Sequence, residues 1–353
     1  MIEKPETKTW KTYVFEDIFD IQSSLSSIDK NKLSGRSGKI PYLTRSDQSN
    51  GYYSFVGEQS STYQKDEQDV ITIGLDTQTV FYQPSSFFSG QNIQVLRFAD
   101  LNKYTAFFLL PLIRKQMEKF NWGGNGATLT RLRRSKILLP ISEANSPDYK
   151  YMREYAKQKE QELIQKYTDL VKNKLEGLKN IKEVELSEKE WGEFLIEELF
   201  TINSGVRLIK SDMKLGKRPF IGASDSNNGI TGYVSNTNAS LDKNVLGVNY
   251  NGSVVDNFYH QYEAIFSDDV KRLSFKNMSG NKYSYLFVKN QTSKQKGKYQ
   301  YGYKFNASRM YKQKLLLPVR NGDPDYEYME NYMKQLEYRK LKKYLEYKSI
   351  SVD

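Results

Sequence analysis

The chain has 353 residues, 38% hydrophobic and 27% charged, with a formal net charge of +11, no cysteine and a single histidine, His260. This balance fits a soluble protein of two domains with two cores, and it excludes disulfides, thiolate catalysis, sulfur-built zinc sites and any metal site made of several imidazoles. No apolar run reaches the ~18 residues of a membrane span and the N-terminus lacks a secretory core, so the expectation is a cytoplasmic protein.

Trp10 opens WKTYVFEDIFDI, where Phe15, Ile18, Phe19 and Ile21 are spaced for a short helix running into a strand. The segment PYLTRSDQSNGYYSFV, from Pro41, carries the turn signal Asn50-Gly51 between strand-like flanks. VITIGL reads as a strand. KYTAFFLLPLIRKQMEKF, after Lys103, reads as a buried helix that Pro111 kinks or splits. WGGNGATLT at Trp122 lacks the lysine of a P-loop and reads as a flexible loop. KILLP closes the unit as a strand stopped by Pro140. From Asp148 to about Lys182 the residues favour helix, with Met152, Tyr155, Leu163, Tyr167 and Leu170 along one apolar stripe.

The same plan then runs a second time. Trp191 opens WGEFLIEELFTI, Pro219 opens PFIGASDSNNGITGYV, and KLLLP ends at Pro318. Pro41 and Pro219 lie 178 residues apart, as do Lys136 and Lys314. VLGVNY supplies the matching strand. SPDYKYM and DPDYEYM start the two long helices, the second running from about Asp325 to Ser349 with Met329, Tyr332, Leu336, Leu341 and Tyr344 on its stripe. Matches in one order at a near-constant offset mark a duplication. The expected architecture is α/β (α+β). Two similar globular domains of mixed strands and helices span 1–147 and 184–323, followed by spacer helices at 148–183 and 324–353. At 1.5 Å per residue such helices span roughly 38 to 50 Å, too long for one small domain to cover. The two are expected to pack on each other.

Charge is uneven. From Val270 to Gly322 there is no Asp or Glu, while Lys and Arg interleave with aromatics, as in KQKGKYQYGYKF. This points to nucleic acid, against the plainer reading of a solvated lysine-rich loop. Around the two proline segments, Arg36, Lys39, Arg45, Asn50 and Tyr53 cluster in the first copy, and Lys214, Lys217, Arg218, Asn227 and Asn228 in the second. Arg and Lys suit guanine, and Asn suits adenine, although Asn before Gly also simply makes turns. Arg131, Arg133, Lys294, Lys296, Lys298 and Arg309 suit phosphates. Tyr301 belongs to a run, Tyr299, Tyr301 and Tyr303, that would share one face of a strand. His260 reads as a surface or hydrogen-bonded histidine rather than a base.

The order of unit, long helix, unit, long helix, carried by the WGEFLIEELFTINSG-type openings, the KILLP and KLLLP closers and the PDYKYM and PDYEYM helix starts, resembles the specificity subunit of Type I restriction–modification systems. It is similar also to specificity subunits of BcgI-like Type IIB systems, in which the partner fuses nuclease and methyltransferase. The resemblance covers nearly the whole chain. It implies two target-recognition domains that each read half of a split duplex DNA site, and two helices paired as an antiparallel coiled coil that separates them. It implies methyltransferase subunits as partners, two of them, with a restriction or translocase subunit as a further one. The helix stripes would be the partner and helix interface. No cofactor is expected in this chain; S-adenosylmethionine would sit in the partner. The chain carries no Asn-Pro-Pro-aromatic tetrad for adenine methylation and no nuclease pattern at Pro147 or Pro324, so catalysis is not expected of it. A stand-alone DNA-binding protein is the alternative outside such a complex.

Overall fold

The computed structural model describes residues 4–35, 37–121 and 124–350. The chain divides into two compact units, Met1–Tyr167 and Thr168–Asp353. The division falls inside the first long helix.

In unit 1 the opening strand Trp10–Val14 pairs antiparallel with the closing strand Lys136–Pro140, Trp10 opposite Pro140. In unit 2 Trp191–Leu195 pairs with Lys314–Arg320, Trp191 opposite Pro318. Proline was expected to stop both closing strands. It ends the first, but the second runs on to Arg320, because Asn321 and Gly322 take positive φ (55° and 88°) and turn the chain back into Asp323–Pro324.

Each opening strand leads into a one-turn helix, Phe15–Ile18 or Ile196–Leu199, and then a strand. That strand edges an antiparallel four-stranded sheet. Its order is Asp20–Ser23, Ile93–Arg97, Val70–Gly74, Val80–Gln83 in unit 1 and Phe200–Ser204, Val270–Phe275, Val245–Asn249, Asn257–His260 in unit 2. The Pro41 and Pro219 segments form a hairpin in each unit, Ser37–Leu43 with Tyr52–Val56 and Leu215–Ile221 with Ile230–Val234. A short parallel strand, Phe88–Ser89 or Ile265–Phe266, completes each three-stranded sheet.

One helix packs on each four-stranded sheet. Asn102 caps Lys103–Met117 by accepting from the Tyr104 and Thr105 N–H groups, and Asn281 caps Lys282–Ser293 in the same way. Pro111 lies within the first helix without splitting it. Phe15, Ile71, Leu96, Leu109, Ile137 and Met152 are among the buried residues that join one-turn helix, sheet, packing helix, closing strand and long helix into one core. Ile196, Leu246, Leu273, Val288, Leu315 and Met329 do so in unit 2. Each such side chain contributes roughly 1.5 to 3 kcal/mol by leaving water.

The long helices are Tyr149–Glu176 and Tyr326–Ile350. Asp148 accepts from the Tyr151 N–H at 2.9 Å, and Asp325 from the Tyr328 N–H at 3.0 Å, so each carboxylate closes a first turn. Lys8 and Lys189 sit beside these caps, at 3.0 and 2.8 Å. An aromatic ladder then ties each helix to its own unit. Trp10 stacks on Phe108, which meets Tyr155 edge-on; Trp191 stacks on Phe287, which meets Tyr332 edge-on. Within unit 2, the end of the first long helix buries Val171 and places Lys174 4.0 Å from Glu337 of the second.

Candidate nucleic-acid interface

The hairpins place the proline-segment residues at two separate ends. At the start of each first strand, two residues bulge out of register: Ser37 and Ile40 both face Val56, and Leu215 and Arg218 both face Val234. Lys39 and Lys217 are the second bulged residue of each, and both are exposed. Lys214 is exposed just before the second bulge. Arg218 is held inward, bridging to Glu263 at 3.0 Å and donating to the Asn236 carbonyl at 2.5 Å. Arg36 lies outside the described residues.

At the other end are the turns. Asn50 and Asn228 adopt the left-handed conformation, with φ of 57° and 54°. Their amides point into their own units. Asn50 Nδ2 donates to the Tyr82 carbonyl at 3.0 Å and to Gln83 Oε1 at 3.3 Å, and Asn228 Nδ2 donates to Tyr262 Oη at 2.7 Å. Asn227 is exposed beside it. Arg45 pairs with Asp76. Tyr53 stands 59% exposed on the second hairpin strand, with the Lys30 ammonium 5.9 Å from its ring.

The short helices Leu129–Arg133 and Ala307–Tyr311 carry matched arginines. Arg131 donates to the Gly126 and Gly124 carbonyls, and Arg309 to the Lys304 carbonyl at 2.7 Å, each bracing the loop before its own helix. Arg133 donates to the Ile21 carbonyl at 3.0 Å. Trp122 and Gly123 lie outside the described residues.

The acid-free stretch is partly neutralised. Carboxylates from outside it hold five of its thirteen cations. Arg272 pairs with Asp242, Lys282 with Glu337, Lys296 with Asp256, Lys314 with Glu193, and Arg320 with Asp325 and Glu327. Lys294 and Lys298 are exposed. The tyrosine run is not a strand either. Gln300 and Tyr303 bond to each other across a tight turn, which stacks Tyr299 on Tyr303 and leaves Tyr301, at its tip, 77% exposed. Arg309 lies over the Tyr303 ring at 3.8 Å. A period-two pattern in YQYGY fits a strand as well as this tight turn, so the pattern alone does not separate them.

His260 is fully buried rather than on the surface. Nδ1 lies 3.3 Å from Tyr262 Oη, and Nε2 has no hydrogen-bond partner. Burial pushes its pKa down to about 4, so the ring is neutral at pH 7. Among the described residues no group of His, Asp or Glu is arranged to hold a metal ion, and no helix is long and apolar enough to cross a membrane.

The helix stripes divide along their length. Met152 and Met329 are buried in the cores of their own units, and Tyr155 and Tyr332 belong to the aromatic ladders. Further along, Leu163, Tyr167 and Leu170 are 66%, 46% and 49% exposed. On the second helix Leu336, Leu341 and Tyr344 are half-buried.

The family model for the Type I restriction modification DNA specificity domain matches residues 7–173 and again 188–347. The chain is 44% identical over 330 residues to the Type II restriction enzyme BgcI specificity subunit S.BcgI of Heyndrickxia coagulans, covering 93% of this chain and 94% of that protein. Its fold is similar to the crystal structure of a Type I restriction–modification S subunit from M. genitalium, with a TM-score of 0.51 and 15% identity over 99% of this chain and 95% of that one.

Proposed function

On the premise that this chain belongs to the Type I restriction modification DNA specificity family and is the specificity subunit of a restriction–modification system, we propose that its two units each read one half of a split duplex target while partner chains supply methyl transfer and cutting. One observation carries this reading. The frame is the same in both units, from Trp–Phe–Tyr ladder to hairpin bulge, and the Ser-Asp and Asn-Gly pairs of the turns recur, while the strand residues that flank them differ. Two equal frames suit one DNA form, and unequal flanks suit two unequal half-sites.

The two long helices are proposed as the spacer between half-sites, paired as an antiparallel coiled coil. A rigid element is needed because each added base pair moves a half-site by ~3.4 Å and rotates it. The Lys174–Glu337 approach and the burial of Val171 support this pairing. The exposed run of Leu163, Tyr167 and Leu170 is proposed as the surface that receives the methyltransferase partner. S-adenosylmethionine would bind in that partner, and the complex would act in the cytoplasm. The relative at 44% identity is the specificity subunit of a Type II enzyme, so a partner of that kind is the first to test.

The test is a domain exchange. Residues ~1–145 are replaced by the corresponding domain of another specificity subunit, and methylated DNA is sequenced after co-expression with the partner. One half of the methylated motif should change and the other should stay. A simultaneous change in both halves would break the assignment of one half-site to each unit. In the same experiment the pure chain, given duplex and S-adenosylmethionine, should transfer no methyl groups.

A further inference from the structure

At the hairpin bulges the two units keep a Gly-Lys pair, and with it the same exposed cation, while the residues on both sides of the pair differ. The dipeptide Gly38-Lys39 recurs as Gly216-Lys217. The residues on either side are Ser37 and Ile40 in one unit and Leu215 and Arg218 in the other. Leu215, 96% exposed, shows how far the variable positions have departed.

Backbone geometry explains the glycine. A Cβ on Gly38 would collide with the Val56 carbonyl and Gly57 backbone, and one on Gly216 with the backbone of Val234 and Ser235. Only glycine lets the bulged strand close this tightly on its partner. The next residue is thereby pitched out of the ladder. Lys39 and Lys217 are both exposed, and among the described residues neither ammonium has a hydrogen bond or ion pair. That sets them apart from Arg45, Arg218, Lys296 and Arg309, each of which is engaged within the protein.

Two half-sites of different sequence share one thing, the sugar–phosphate backbone. A cation that both readers keep, on bulges of the same geometry, is matched to that shared feature and not to the bases that differ. An ammonium is a compact charge without the planar fork that reads guanine edges, which again suits a phosphate. We infer that Lys39 and Lys217 are matched phosphate anchors, one per unit, each seating its hairpin on a backbone phosphate of duplex DNA so that the variable neighbours meet the bases. This rests on the reading of the chain as a duplex reader and names the DNA group that the two bulges take.

The test uses the full chain assembled with its methyltransferase partner. Affinity for a duplex is measured against salt concentration for wild type, Lys39→Ala, Lys217→Ala, the double variant and the Lys→Arg replacements. Each single alanine should reduce the slope of log affinity against log salt by about 0.9, and the double by about twice that. The arginine variants should restore the slope, and the methylated motif should be the same throughout. Unchanged slopes in a binding assembly overturn the anchors alone; if such variants also self-associate, the lysines guard a sheet edge instead. A changed motif overturns them too, by making the lysines base readers. An assembly whose wild type fails to bind any duplex overturns both the anchors and the reading beneath them.

Discussion

The turn at the hairpin end is wired to the sheet differently in the two units. In unit 1 Gln83, from the last strand of the four-stranded sheet, accepts from the Asn50 amide and donates to the Asn50 carbonyl and to Thr72. In unit 2 the matching position is His260: Gln83 faces Val70, and His260 faces Val245, at the same point of the ladder. The imidazole does not reach the turn. Tyr262 stands between, accepting from Asn228 Nδ2 on one side and lying against His260 Nδ1 on the other. The loop behind shows a second exchange of the same kind. Asp66 and Asp242 hold matching bridges, to Phe87 and Ala264. Arg97 reaches Asp66 at 2.7 Å, while Arg272, set two positions earlier along the equivalent strand, reaches Asp242 at 2.7 Å. A backbone frame can thus be kept while the polar groups beneath its tips are replaced, provided each buried donor or acceptor finds a partner.

The largest effect is expected where one unit has a single answer and the other has several. The Asp66 side chain has no exposed surface, and among the described residues its carboxylate accepts only from Arg97 and the Leu25 N–H. Burial raises its pKa, with those two contacts holding it back. Asp242 is 24% exposed, and Arg272 keeps the Ser204 and Ala239 carbonyls as further acceptors. Asp66→Ala should therefore cost unit 1 about 3 kcal/mol, by removing the acceptor of both the half-buried Arg97 guanidinium and the Leu25 N–H, and Asp242→Ala should cost unit 2 about 1 to 2 kcal/mol, because Arg272 keeps its carbonyl acceptors. Hydrogen exchange of the full chain, read separately on Val70–Gly74 and Val245–Asn249, measures both. Equal losses would show that the extra carbonyls around Arg272 do not matter.

The next effect is acid sensitivity confined to unit 2. The His260 pKa lies at about 4 when folded, against about 6.5 unfolded, because burial opposes the charged ring. A depressed folded pKa means stability that is present above pH ~6.5 and is lost as the pH falls toward about 4. The shift corresponds to about 3 kcal/mol. Its neighbours Tyr262 and Phe266 offer no negative charge to relieve it. Between pH 6.5 and 4 the exchange protection of unit 2 should fall ahead of unit 1, and His260→Gln, the unit 1 solution, should remove the difference. Parallel acid profiles in wild type would mean that the ring takes up its proton without opening the unit.

What the sequence makes legible here follows from how local each signal is. The openings, closers and helix starts are set by runs of neighbouring residues, and they stand where their spacing places them. The basic stretch is less cationic than it reads because its partners Asp242, Asp256, Glu193 and Glu337 lie 30 to 121 residues away, and a count along the chain treats them as absent. The Asp66–Arg97 and Asp242–Arg272 exchange is hidden for a related reason. Its arginines sit at non-matching positions, so aligning the copies does not pair them. The bulges were partly readable: Lys39 and Lys217 stand out by charge, but the reason for Gly38 and Gly216 appears only when the facing backbone is in place.

The smallest effect separates backbone from side chain at the turns. Asn50 and Asn228 satisfy two demands at once, a positive φ and an amide donated inward, to Tyr82 and Gln83 in one unit and to Tyr262 in the other. Glycine meets the first demand and drops the second; alanine drops both. Asn50→Gly should therefore cost unit 1 about 1 kcal/mol, the value of the lost hydrogen bonds partly offset by relief of the left-handed strain. Asn50→Ala should cost about 1 kcal/mol more, since a Cβ resists φ near 57°. In unit 2 the Asn228→Gly loss should be smaller still, because Tyr262 Oη stays beside His260 when the amide is gone. The methylated motif decides what else these residues do. With the amide nitrogens turned inward, both glycine variants should keep the motif of the wild type and alter only the exchange rates at the hairpin. A motif that loses an adenine in one half on Asn50→Gly would show that the side chain leaves Gln83 to meet DNA, and that the two turns differ in function as well as in wiring.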